Sequence, residues 1–192
     1  MKDNREKILA SATRLFNERG TAEVSTNHIC EDLSISPGSL YYHFRSKDEI
    51  IVMIFQRMID KWEQSPLPEE PCIDSLFFMY ERTFRYLWEY RFIHREISAL
   101  YKRISEFRII FDKAQKKRLK EIQIFLGDYS KAGIFRALDQ TEIKNLARTI
   151  WFFPLYWMAY LETEGKNLNQ KTVKESVGII KNIIQPYLKK EQ

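Results

Sequence analysis

The chain has 192 residues, of which 44% are hydrophobic and 30% are charged, so it can bury a core of substantial size. It has no run of eighteen apolar residues and residues 1–20 mix charged with apolar positions, so we expect neither a membrane span nor a signal peptide. Its two cysteines, Cys30 and Cys72, are too few for a disulfide framework and lack zinc-ligand spacing, which favours reduced thiols and no metal site.

The first four predicted elements are helices. Apolar residues at helical spacing predict a helix from about Asn4 to Arg19, ended by Gly20. A second helix is predicted to open near Thr26, a third to run from Pro37 to Phe44, and a fourth to span about 46–63. Ser46 and Glu49 are placed as a capping box for the fourth helix.

The second and third helices are joined by a tight turn, which is the pattern of a helix-turn-helix. Ser36 is a good N-cap residue, and Pro37 stands at the first helical position, where its missing N–H costs nothing. Gly38 and Ser39 keep the start of the third helix slim enough for a DNA major groove about 12 Å wide. The free N–H groups of helix N-termini also suit phosphates.

The remaining elements are also predicted to be helical, so the fold class is all-α. Three prolines within residues 65–71 predict a loop. Beyond the loop we expect four or five long helices, over residues 72–90, 92–103, 105–127, 140–163 and 170–189. No strand pattern is convincing, and the chain has neither repeats nor low-complexity tracts.

Residues 26–50 resemble the DNA-binding domain of the TetR family of transcriptional regulators. The resemblance lies in Thr26, in the run Ser36-Pro37-Gly38-Ser39-Leu40-Tyr41-Tyr42-His43-Phe44, and in the Ser-Lys-acidic-acidic start of the fourth helix. Two positions depart from the family pattern. Ser34 stands where the turn usually has glycine, and Thr21 stands where an aromatic residue is usual.

The resemblance implies a role for each residue of this motif. The residues expected to face bases and the adjoining backbone are Ser36, Pro37, Gly38, Ser39 and Tyr42. The residues expected to contact phosphates are Thr26, Tyr41, His43 and Lys47. The implied protein is a cytoplasmic, nucleoid-associated bacterial repressor with a helix-turn-helix domain over 1–47. The helix at about 46–63 would connect this domain to an effector-binding and dimerisation domain over 48–192.

The last two helices are predicted to form the dimer interface. Residues 170–189 carry apolar side chains at spacings of four and three, which is typical of a helix–helix seam. Two copies of these helices would make a four-helix bundle. The expected interface residues are Trp157, Val173, Val177, Ile180 and Ile184. The alternative is that both apolar faces belong to the core of one chain.

An aromatic-rich effector pocket is predicted in the second domain, bordered by a helix that Pro154 interrupts. Its expected lining is Phe78, Phe84, Trp88, Tyr101, Trp151, Phe152 and Tyr156. The alternative is ordinary core packing of these aromatic side chains.

The positive charge lies away from the predicted DNA-binding segment. Residues 81–136 carry fourteen Lys/Arg and seven Asp/Glu, whereas residues 1–47 carry seven and six. This surplus fits solvated helix surface, long-range attraction to DNA, or an anionic effector such as an acyl-CoA or a fatty acid. The sequence does not distinguish among these three explanations. The effector is therefore expected to be a small molecule that is either apolar or anionic.

No enzymatic activity is expected. The three histidines are far apart in the sequence and do not form a catalytic or metal-binding pattern. The sequence also has no glycine-rich phosphate-binding loop and no cofactor-binding motif. The expected partners are double-stranded DNA, a second copy of the chain and the effector, without a membrane. A rival interpretation is a DNA-binding protein of the same fold without an effector, whose second domain would have a filled core.

Overall fold

The computed structural model describes residues 2–64 and 71–189, and only the backbone of residues 2 and 3. These residues form nine α-helices and one short 3-10 helix, which confirms the predicted all-α fold. The helices are α1 Lys2–Arg19, α2 Thr26–Leu33, α3 Pro37–His43, α4 Lys47–Glu63, α5 Ile73–Glu89, α6 Arg91–Arg103, α7 Ser105–Lys131, α8 Gln140–Thr163 and α9 Gln170–Ile184, with the 3-10 helix over Gln185–Tyr187. Most of the loop predicted over residues 65–71 lies outside the described residues.

The chain divides into two packed units. Unit 1 comprises Met1–Ser65 and Tyr90–Phe111, and unit 2 comprises Pro66–Glu89 and Asp112–Gln192. The predicted domains are 1–47 and 48–192, whereas this division groups α4 and α6 with the N-terminal helices because both pack against α1. The predicted connector α4 therefore lies within unit 1.

The core of unit 1 is built on the apolar stripe of α1. Ile8, Leu9 and Phe16 on this stripe are fully or almost fully buried, as the sequence predicts. Phe16 contacts Phe92 of α6 with ring centroids 5.2 Å apart. The side-chain carbonyl of Asn17 accepts a hydrogen bond of 3.1 Å from the backbone N–H of Phe92. These contacts fix the beginning of α6 against the end of α1.

In unit 2, α5 packs against α8 and α9, and α8 also packs against α9. The start of α8 is well defined: Asp139 and Glu142 form a capping box, and the Arg136 guanidinium lowers the pKa of Glu142 to about 2. The segment after α7 pairs with the end of the chain, where the Arg136 N–H donates to the Tyr187 carbonyl at 2.9 Å. This pairing is an isolated bridge, and no β-strand occurs in the described parts of the chain.

Within residues 2–64 and 71–189, no helix is both long enough and apolar enough to cross a membrane.

Candidate nucleic-acid interface

Local capping interactions define the ends of α2 and α3. Ser25, one residue before the predicted start, caps α2: its hydroxyl accepts from the His28 N–H and the His28 ring accepts from the Ser25 N–H. Ser36 caps α3 by accepting from the Ser39 N–H at 3.2 Å, and Pro37 occupies the first helical position as predicted. These caps satisfy N–H groups that a helix leaves unpaired at its start.

The turn between α2 and α3 contains a left-handed residue. Ser34 ends α2 with φ +53° and ψ +42°, and it is the one non-glycine residue with a positive φ in the described part of the chain. This is the position where the related pattern has glycine, the residue that adopts this conformation without steric cost. The turn therefore keeps the geometry that glycine would give, despite the serine.

The inner faces of α2 and α3 are anchored in the core of unit 1. Ile29, Leu40 and Phe44 are almost completely buried. The carboxylate of Asp32 on α2 accepts a hydrogen bond of 2.6 Å from the Ser11 hydroxyl and forms an ion pair with Arg14, both on α1. These two interactions lower the pKa of Asp32. The helix-turn-helix is thus held at a fixed orientation on α1.

The outer face of α3 is open to solvent. Tyr42 is 71% exposed and Tyr41 is also exposed, although both are large aromatic side chains on a helix of seven residues. Pro37 and Gly38 at its N-terminus are exposed as well, and a Cβ added at Gly38 would meet nothing closer than the Ser36 hydroxyl at 3.9 Å. This end of α3 can approach another surface closely.

Two of the residues predicted to contact phosphates contact each other. The hydroxyls of Thr26 on α2 and Tyr41 on α3 lie 3.1 Å apart and share a hydrogen bond. The His43 ring packs edge-on against Tyr42 with centroids 5.0 Å apart. The structure therefore brings Thr26 and Tyr41 together, and it places His43 beside the exposed Tyr42.

Lys47 has internal partners. Its ammonium group donates to the backbone carbonyls of Thr21 at 2.5 Å and Val24 at 2.9 Å, across the turn between α1 and α2. The side chain is partly buried, and this burial lowers its pKa. Lys47 thus fixes the turn that precedes α2, a role that the motif alone does not reveal. Its predicted phosphate contact remains a prediction.

Ser46 caps α4 as predicted, but the predicted capping box is only half formed. The Ser46 hydroxyl accepts from the Glu49 N–H at 3.2 Å. The Glu49 carboxylate accepts from the N–H of Arg45, one residue before the cap, at 2.6 Å.

The structure corrects the expected positions of the seam residues. All five side chains are buried inside one chain, because the inner face of α9 packs against α5 and α8 of the same unit. The residues concerned are Trp157, Val173, Val177, Ile180 and Ile184. A spacing of four and three does not distinguish an intramolecular helix contact from an intermolecular one, and here it marks the core.

The expected pocket residues lie in several environments. Phe84 is fully buried on α5, and Trp88 and Trp151 are half-buried. Phe78 is exposed on α5, and Phe152 and Tyr156 are exposed on α8. The described residues of one chain therefore do not enclose these three side chains, which corrects their placement as interior lining.

Tyr101 belongs to α6 in unit 1, where its ring meets Phe111 edge-on at 5.8 Å. It lies in a different packed unit from the other six expected pocket residues.

Three residues that position the helix-turn-helix were not predicted from the sequence. Thr21, Asp32 and Glu96 make the polar contacts that tie α1, α2 and α6 together. The only signal at Thr21 was its departure from the aromatic residue usual in the related pattern. In the described residues, no group of three His, Cys, Asp or Glu side chains could hold a metal ion.

Two family matches together span residues 8–192 of the chain. Residues 8–54 match a family described as bacterial regulatory proteins of the tetR family, and residues 54–192 match a TetR family described as a bacterial transcriptional repressor. The chain is also 39% identical over 59 residues to HTH-type transcriptional regulators of Staphylococcus aureus strains USA300 and NCTC 8325. That match covers 31% of this chain and 32% of each regulator, so the chain spans about a third of the curated relatives it matches.

Solved structures extend the similarity over almost the full length of the chain. A TetR-family transcriptional regulator from Marinobacter aquaeolei VT8 superposes with a TM-score of 0.85 at 32% identity, covering 96% of this chain and 90% of that one. The reduced form of Escherichia coli NemR superposes with a TM-score of 0.71 at 17% identity, covering 97% of this chain and 99% of that one, and it supports the fold alone.

Proposed function

Because the chain belongs to the TetR family of bacterial transcriptional regulators, we propose that it represses transcription by binding double-stranded DNA as a homodimer. A small effector bound in unit 2 would then release the DNA. The protein is a regulator and not an enzyme.

The exposed face of α3 is the observation that carries DNA binding. Two aromatic side chains, Tyr41 and Tyr42, project from a short helix whose opposite side, at Leu40 and Phe44, is buried. Large exposed aromatics on an anchored helix are unfavourable in water unless a partner covers them. A major groove accepts a helix of this width, and base edges offer both hydrogen-bonding groups and thymine methyl groups to such side chains.

An exposed aromatic stripe on α8 supports the homodimer. Phe152, Tyr156 and Tyr160 follow one another at intervals of four residues and so share one face of the helix. Phe152 and Tyr156 are each 62% exposed, and their rings stack at 5.6 Å. Aromatic residues are enriched in protein interfaces, and a two-fold axis beside α8 would cover this stripe with its own copy.

A two-fold dimer predicts the form of the operator. Two copies of α3 related by a dyad would read a near-palindromic site whose half-sites lie about 34–36 Å apart. An effector that changes the separation of the two α3 helices would lower the affinity for DNA, and DNA would lower the affinity for the effector by the same factor.

Selection of bound fragments from a genomic DNA library tests this proposal. We expect enrichment of a near-palindromic sequence and an affinity that falls steeply with salt, because contacts to phosphates release counterions. Binding to the enriched duplex and to a scrambled duplex of the same composition is then compared by fluorescence anisotropy. Equal affinity for the two duplexes at all salt concentrations would refute sequence-specific binding.

A further inference from the structure

Unit 2 contains a continuous layer of aromatic rings between α5 and α8. Tyr80 and Phe84 of α5 have ring centroids 6.4 Å apart, and Phe84 meets Phe153 of α8 edge-on at 6.1 Å. Phe153 in turn lies 5.5 Å from Trp157. A flat apolar molecule could insert between the rings of this layer. The aromatic side chains would offer it a large apolar contact area and a defined ring geometry.

Two polar atoms in this layer have no partner. The Tyr80 hydroxyl and the Trp157 indole N–H are fully buried, and neither makes a hydrogen bond within the described residues. Tyr80 is 3% exposed and Trp157 is 7% exposed. Buried tyrosine and tryptophan usually find a hydrogen-bond partner, so two unpaired groups in one layer point to a partner that binds from outside.

The Tyr80 hydroxyl is buried without a hydrogen bond to a charged side chain of the described residues. Burial alone raises the pKa of its hydroxyl, and no charged side chain of the described residues contributes to the shift. The indole N–H of Trp157 can donate a hydrogen bond but cannot accept one. A carboxylate or phosphate placed in this layer would lose its hydration without gaining a counter-ion, whereas a neutral oxygen acceptor would find a donor.

We propose that unit 2 binds a neutral, largely apolar molecule between α5 and α8, whose carbonyl or ether oxygen accepts a hydrogen bond from Tyr80 or Trp157. This inference rests on the proposed function, in which an effector binds unit 2, and it specifies the chemistry of that effector. Because both polar atoms are buried, the rings must move apart to admit the molecule. The binding site is therefore one that the ligand opens.

Three probes of similar size and different polarity test the inference. 2-Acetylnaphthalene carries a ketone acceptor, 2-ethylnaphthalene has no acceptor, and 2-naphthoate is an anion. Their binding to the full-length protein is measured by calorimetry and by the change in melting temperature. We expect the ketone to bind at least about tenfold more tightly than the other two, which corresponds to one well-formed hydrogen bond.

Conservative variants assign the donor. Tyr80→Phe and Trp157→Phe remove the donor and keep a ring, whereas Thr149→Val removes an exposed hydroxyl from α8 and serves as the control. We expect at least one of the first two variants to weaken binding of the ketone about three- to tenfold without affecting 2-ethylnaphthalene. Ligand-free Tyr80→Phe should melt at the same or a higher temperature, because its buried hydroxyl makes no hydrogen bond in the absence of ligand.

Several results would overturn the inference. These are tighter binding of 2-naphthoate than of the ketone, equal ketone binding by wild type and both donor variants, or a lower melting temperature for ligand-free Tyr80→Phe. The inference also fails if no ketone or ether of one to three fused rings binds. DNA binding is measured on the same protein. If the protein binds specific DNA but any of these contrary ligand results is obtained, the inference about the effector is wrong and the proposed function stands. If the wild type binds no specific DNA, the proposed function itself is wrong.

Discussion

The carboxylate of Glu96 on α6 accepts hydrogen bonds from both the backbone N–H and the hydroxyl of Thr21, immediately after α1. The backbone carbonyl of Thr21 accepts in turn from the ammonium of Lys47 on α4. All the polar groups of this buried threonine are therefore paired, and the turn that leads into α2 is tied to α4 and α6. The space is tight, since a Cβ added at Gly20 would meet the Glu96 carboxylate at 3.0 Å.

Removing this carboxylate should destabilise the protein. Glu96→Ala leaves the buried N–H and hydroxyl of Thr21 without an acceptor, and we expect the free energy of unfolding to fall by about 1–3 kcal/mol. Glu23→Ala removes an exposed carboxylate from the same turn region and should change it by less than about 0.5 kcal/mol. Urea denaturation measures both values. Equal stability of the two variants would show that the Glu96–Thr21 contact contributes nothing.

Ser34, which has a left-handed backbone conformation between α2 and α3, is a position where a substitution should stabilise the protein. Ser34→Gly should raise the free energy of unfolding by up to about 1 kcal/mol, because glycine adopts a φ of +53° without the clash of a Cβ. Ser36→Ala, two residues later, should lower it by about 1 kcal/mol through loss of the α3 N-cap. Thermal denaturation of both variants tests the pair. A loss of stability in Ser34→Gly would mean that the serine side chain stabilises the turn.

The elements predicted best from the sequence depend on contacts between neighbouring residues. The caps at Ser36 and Ser46, the position of Pro37 and the buried stripe of α1 are all local signals, and the structure confirms each one. The resemblance to the TetR pattern likewise covers one continuous segment. What the sequence could not reveal are contacts between residues far apart in the chain, such as those of Glu96 with Thr21 and Lys47 with Val24.

The faces of α8 and α9 show the same limit. Both helices are amphipathic, and periodicity identifies an apolar face without identifying what covers it. The structure places Trp157 and Ile180 in the core and Phe152 and Tyr156 on the surface. The residues expected at the seam are therefore buried within one chain, and three of those expected inside a pocket are exposed. The packing of α5 against α8 and α9 determines which face of each helix is buried and which is exposed.

Substitutions on α3 should separate base recognition from phosphate contact. We expect Tyr42→Ala and Ser39→Ala to change the preference among operator sequences, with losses of about 1–3 kcal/mol on the preferred duplex. Tyr41→Phe removes a hydroxyl beside Thr26 and should weaken all duplexes about equally, by roughly 1 kcal/mol. Affinities for a set of single-base operator variants provide the measurement. An equal loss of selectivity in all three variants would contradict this division of roles.

Substitutions on the exposed aromatic stripe of α8 should disrupt the dimer without unfolding the protein. The double variant Phe152→Glu/Tyr156→Glu places two charges on the proposed interface, and we expect a folded monomer that no longer binds the operator cooperatively. Ile180→Glu places a charge in the core instead and should destabilise the protein by about 4 kcal/mol or more. Sedimentation velocity and circular dichroism distinguish the outcomes. A folded dimer in the double variant would move the interface away from α8.

A buried histidine on α6 should make the stability of the protein depend on pH. His94 is 8% exposed, and neither ring nitrogen has a hydrogen-bond partner within the described residues. Burial lowers its pKa from 6.5 to about 4. Between these two values the unfolded chain binds a proton that the folded protein does not, so stability is lost as the pH falls from about 6.5 towards 4.

The size of this effect follows from the shift in pKa. Between pH 7 and pH 4.5, protonation of His94 in the unfolded chain should cost about 2 kcal/mol of stability. His94→Leu removes the titrating group and fills the site with an apolar side chain, so its stability should fall less over this range. Ile93→Val changes the neighbouring buried residue and keeps the His94 ring, so it should lose as much stability over this range as the wild type. Urea denaturation at four or five pH values gives the three curves, and parallel curves for wild type and His94→Leu would show that folding does not hold the His94 ring neutral.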